Sequence, residues 1–67
     1  MIYWVERRLE FKTVPARWEI AGLHETLAEA EARAALYTEL LNRDRAQGIR
    51  PQAKGGGTIT EYRVSCG

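Results

Sequence analysis

A chain of 67 residues with a net charge of +1 has room for one domain, spanning 1–67, and its single cysteine rules out an internal disulfide. Cys66 and His24 are too few for a Cys/His zinc site, and the near-neutral balance by itself points to neither nucleic acid nor a membrane surface. A domain this small buries only roughly 60% of the surface its unfolded chain exposes, and self-association is the means left to make up the shortfall.

No stretch approaches the roughly 20 apolar residues that a membrane span needs. Met1 runs into "IYWV" without the basic lead of an export signal. The expectation is a cytoplasmic protein with a reduced thiol. Charge is unevenly placed: residues 1–18 sum to +2, residues 19–41 to −4 and residues 42–67 to +3.

"MIYWVERRLEF" opens with β-branched and aromatic residues and predicts a strand, with Ile2 and Trp4 on one face and Tyr3 and Val5 on the other. Pro15 in "KTVPA" sets a turn. "RWEIA" predicts a second, shorter strand with Trp18 and Ile20 sharing a face, ended by Gly22. The two strands form a hairpin.

Thr26 and Glu29 carry the T-x-x-E spacing of a capping box, and the alanine, leucine and glutamate that follow are strong helix formers. Glu29 with Arg33, and Glu39 with Arg43, are spaced as i,i+4 ion pairs. Gly48 predicts the stop, and Pro51 bars continuation. At about 100° per residue, Leu23, Leu27, Ala30, Ala34, Tyr37 and Leu41 fall on one stripe, the expected core face. Leu40 lies on its flank. Leu36 points away, among Ala32, Glu29 and Arg43. Residues 48–57 predict a loop, and "TITEYRVSC" a last strand with Tyr62, Val64 and Cys66 on one face; Cys66 is expected to be a small core residue.

The order β-β-α-β and short connections favour an α+β fold: a three-stranded antiparallel or mixed sheet in strand order 2-1-3, with one helix on one face. A central strand apolar on both sides leaves one face for the helix and one in want of cover. The cover is the 48–57 loop, a second copy of the chain, or a partner protein.

No catalytic, cofactor or metal constellation stands out. His24 reads as a surface or capping residue. In "AKGGGT" the lysine precedes the glycines and a strand follows, unlike a phosphate-binding loop. Arg7, Arg8, Lys12 and Arg17 beside Trp4 and Trp18 could grip nucleic acid, although the acidic helix opposes it.

The run "W-E-I-A-G" before "T-L-A-E-A-E-A-R-A", with a closing "Y-R-V", resembles small β-β-α-β proteins encoded by phages and prophages, a group that includes some anti-CRISPR inhibitors. With the residue reading, that resemblance leads to the expectation of a non-enzymatic protein acting by protein–protein contact, in its sharpest version a phage-encoded inhibitor of a host defence complex. A second likeness, to the arm-binding domains of phage integrases, departs by one strand too few before the helix and a strand after it. The expected contact residues are Trp4, Trp18, Leu36 and Leu40 as apolar anchors, with Arg7, Arg8 and Arg17 steering the approach. The alternatives are a small nucleic-acid binder using the basic hairpin and a structural homodimer.

Overall fold

Residues Tyr3–Glu10 form β1, the central strand of a three-stranded sheet in this computed structural model, which describes residues 1–67. Arg17–His24 (β2) and Thr58–Cys66 (β3) flank it, both antiparallel, and Leu27–Ala46 (α1) crosses one face. The order β2-β1-β3 is the one expected. β2 runs past Gly22 to His24, two residues beyond its expected end. It does so through a bulge: Val5 pairs with Gly22 and Glu6 with Ile20, which leaves Ala21 unmatched. A second bulge sits at Thr60 of β3, whose hydroxyl accepts from the Arg8 guanidinium at 3.2 Å.

The helix begins where the cap places it. Thr26 is extended, and its hydroxyl oxygen accepts the Glu29 N–H at 3.1 Å. Only that half of the capping box forms. At the other end Gly48 takes φ 77°, and the N–H groups of Gly48 and Ile49 return to the carbonyls of Arg45 and Asp44 at 3.1 and 2.9 Å. This is a Schellman closure, for which glycine has no steric penalty. The expected helical ion pairs are not closed. The ion pairs present are Arg7–Glu19, Arg8–Glu10 and Arg63–Glu6, all on the sheet. Arg33 instead turns over the ring of Tyr37, 6.0 Å from its centroid.

The core is small: Val5, Leu9, Ala30, Leu41 and Ile59. Val5 and Leu9 point to the helix side, and α1 meets them with Ala30 and Leu41, backed by half-buried Ala34 and Tyr37. Tyr37 packs on Tyr62 with ring centroids 5.2 Å apart. Two residues of the expected stripe are elsewhere. Leu23 belongs to β2 and lies opposite Trp4, on the sheet face away from the helix, while Leu27 is exposed. The helix therefore buries a narrow seam.

The 48–57 loop closes one end of this core and leaves the open sheet face bare. Ala53 packs with Phe11 and Tyr62 against Leu9, Leu41 and Ile59, and the Ile59 N–H donates to the Pro51 carbonyl at 2.9 Å. Gly57 has φ 87°, and a Cβ there would stand 2.8 Å from the Phe11 ring, so both backbone and space demand glycine. Cys66, expected in the core, is exposed: it borders an open cleft that Leu27 and Glu31 of α1 line from the other side.

Candidate protein-binding surface

The sheet face opposite the helix carries Trp4, Glu6 and Arg8 from β1, Trp18, Ile20 and Leu23 from β2, and Glu61, Arg63 and Ser65 from β3. Its polar residues are knitted together. The Arg63 guanidinium lies 3.7 Å from the Trp18 ring centroid, and its Nε donates to the Glu6 carboxylate at 2.7 Å. The Ser65 hydroxyl donates to the same carboxylate at 2.9 Å. The Arg63 hydrogen bond, above all, holds the Glu6 carboxyl below its ordinary 4.5; partial burial opposes it, and Trp4 and Ser65 reinforce it. The Trp4 indole N–H is turned toward this carboxylate but stops short of hydrogen-bond geometry, buried without a partner.

Neither tryptophan is bare. Trp4 is half-buried, with the chain end laid over its ring: a Cβ on Gly67 would come within 2.8 Å of it, and the Gly67 N–H donates to the Ile2 carbonyl at 3.3 Å. Trp18 is half-buried beneath Arg63. Among the strand residues of this face, the large apolar groups left clear are at the β2 margin, Ile20 at 56% exposure and Leu23 at 64%.

On the helix side the leucines outside the buried seam do remain in solvent. Leu36 is 43% exposed and Leu40 37%. Both lie on the flank of α1 that overhangs β2, where a groove of about 360 Å³ is lined by His24, Glu29, Ala32, Arg33 and Leu36. The helix packs chiefly on β3 and β1, so its β2 side is left undercut. His24 Nε2 is buried there without a hydrogen-bond partner. The groove pairs an aliphatic wall with a guanidinium and an imidazole.

The expected contact residues thus fall in three places. Trp4, Arg8 and Trp18 share the open sheet face; Leu36 and Leu40 stand on the helix flank; Arg7 lies on the helix side of the sheet, opposite Tyr62 and ion-paired with Glu19. Arg8 is paired with Glu10, and the Arg17 guanidinium stacks 5.2 Å from the Phe11 centroid. Ile20, Leu23, Arg33 and Arg63 were not among the expected residues. The alternation that puts Ile20 beside Trp18 signalled the first, whereas Arg63 meets Trp18 only through the pairing of both outer strands with β1.

Other constellations resolve simply. His24 and Cys66 sit on either side of Tyr3 across the three strands, about 10 Å apart by strand spacing, and so form no dyad. No group of three or more His, Cys, Asp or Glu side chains comes together as a metal site, and no helix is long and apolar enough to cross a membrane. The topology does gather charge. The β1–β2 turn, the end of α1 and the 49–57 loop meet at one end of the molecule, bringing Lys12, Arg17, Arg43, Arg45, Arg50 and Lys54 together against Glu10 and Asp44. Comparison with family models, curated proteins and solved structures finds no match.

Proposed function

We propose that this chain is a non-enzymatic binding module that docks on a protein partner through the Leu36–Leu40 flank of α1 and the groove beside it. The observation that carries this reading is the partial exposure of two leucines side by side on one overhanging helix flank, in a domain whose buried core is only five residues. Ala32 and Leu36 rimmed by Glu29, Arg33 and His24 match the usual anatomy of an interface, an apolar centre with a polar margin. In its sharpest form the partner is a host defence complex and the chain its phage-encoded inhibitor; that form rests on the resemblance of the sequence to small β-β-α-β phage proteins.

The test is capture of a defined partner by the parent chain and by Leu36→Glu and Leu40→Glu variants, each checked for its helix signal. Loss of capture with the fold intact supports the reading. Retained capture removes it.

A nucleic-acid reading draws on the basic end of the molecule. Against it, Arg7 and Arg8 of the hairpin are already neutralised by Glu19 and Glu10. It predicts binding to single-stranded DNA at about 50 mM salt that falls steeply as salt rises.

A further inference from the structure

The outer edges of the sheet are not alike. On β3 the edge is closed where the strand begins: Ile59 donates to Pro51, Gln52 bridges to Thr58, and the Arg45 guanidinium caps the Thr60 carbonyl at 2.7 Å. On β2 no backbone group of Arg17–His24 bonds to anything beyond β1. Before the bulge at Ala21 the strand is regular over residues 17–20, so its outward N–H and C=O groups form a short open ladder with no proline in it.

The side chains along this stretch are self-complementary. Arg17 and Glu19 flank Trp18 on the helix side with opposite charges, Glu19 holding Arg7 of its own chain and Arg17 lying over the Phe11 ring. In an antiparallel pairing of two copies about a two-fold axis at Trp18, each Arg17 falls opposite the other copy's Glu19. The two Trp18 rings then face each other on the open side, and each Ile20 meets the other copy's Ala16. A net charge of +1 on each copy offers little repulsion.

We infer that two copies of this chain associate weakly and reversibly through β2, extending the sheet to six strands. In that pair each helix sits over β1 and β3, so the two stand nearly four strand spacings apart, roughly 17 Å, which is beyond helix-packing distance. Leu36 and Leu40 of each copy line the trough between the two helices, away from the paired backbone, so this contact and the partner surface rest on different residues.

The experiment is sedimentation equilibrium from micromolar to millimolar chain, on the parent, Arg17→Glu, Glu19→Arg, and an equal mixture of the two variants. The expected result is a mass rising from one chain to two for the parent and about tenfold weaker association for each variant alone, since each sets like charges opposite one another. The mixture should recover association: the Arg17→Glu copy carries acids at both positions, the Glu19→Arg copy bases at both, and unlike charges again face one another. A parent that stays monomeric throughout, variants that associate as the parent does, or a mixture that fails to recover would each overturn the inference. Should Glu19→Arg unfold through loss of its pairing with Arg7, amide exchange on the parent decides: protection of Arg17–Ile20 amides must rise with concentration, and constant exchange refutes the pairing. Leu36→Glu must leave all of these measurements unchanged.

Discussion

Arg63 covers Trp18. Its guanidinium lies 3.7 Å from the ring centroid while its Nε holds Glu6, so a side chain from one outer strand shields the indole of the other across the central strand. An aromatic that local sequence marks as an interface anchor is thereby occupied at home. Arg63→Ala is expected to lower stability by about 1 kcal/mol, combining an exposed cation–π contact with a surface ion pair. The same substitution should shift tryptophan emission to longer wavelength as water reaches the ring. Urea titration followed by fluorescence reads both; an unchanged emission maximum means Arg63 does not shield Trp18.

The Glu6 carboxylate gives the fold an acid limit. Its pKa in the folded chain is lowered from 4.5 by the Arg63 hydrogen bond foremost. A depressed carboxylate contributes stability that is fully present above its unfolded pKa and lost as pH falls through the folded one. Stability should therefore decline with acidification from about pH 4.5 downward, and Glu6→Gln should flatten that part of the profile. Denaturation midpoints across the acid range check this; a parent and variant with parallel profiles contradict it.

The core is thin enough that each member counts. Leu41→Ala or Leu9→Ala should cost roughly 2–5 kcal/mol, a large share of what a domain this small possesses. Thr26→Ala, which strips the cap from α1, should cost about 1 kcal/mol. Thermal melts followed by circular dichroism rank them; the core variants must fall well below the cap variant.

At Gly57 the constraint is double. A Cβ would strike Phe11 at 2.8 Å on a backbone with φ 87°, so Gly57→Ala should destabilise by more than about 1 kcal/mol. Gly55→Ala, with open space around it and no positive φ, should be close to neutral. Equal melting temperatures for the two would remove the loop's assigned role in closing the core.

Much of this architecture is legible in the residues. The aromatic and β-branched run at Tyr3–Val5, the Thr26 cap and the glycine stop at Gly48 are local signals, and they place β1, the start of α1 and its end. Strand order followed from short connections. What local pattern did not reveal depends on contacts between distant segments. Leu23 fits the helical stripe by spacing, yet a bulge at Ala21 keeps the chain in the sheet through His24. Cys66 alternates correctly with Tyr62 and Val64, but alternation does not tell how closely the helix packs there. The covering of Trp4 by Gly67 and of Trp18 by Arg63 joins residues remote in sequence, which no periodicity records. Leu36 and Leu40 were readable because a helix has only one buried side, and theirs is not it.

The most direct measurement is chemical denaturation of the Leu36→Glu/Leu40→Glu double variant, beside Leu41→Glu as the core control. If the two exposed leucines serve a partner and not the fold, the double variant unfolds within about 0.5 kcal/mol of the parent, as surface substitutions do, while Leu41→Glu fails to fold. A double variant that loses its cooperative transition would return both leucines to the core and leave the proposed docking surface without support.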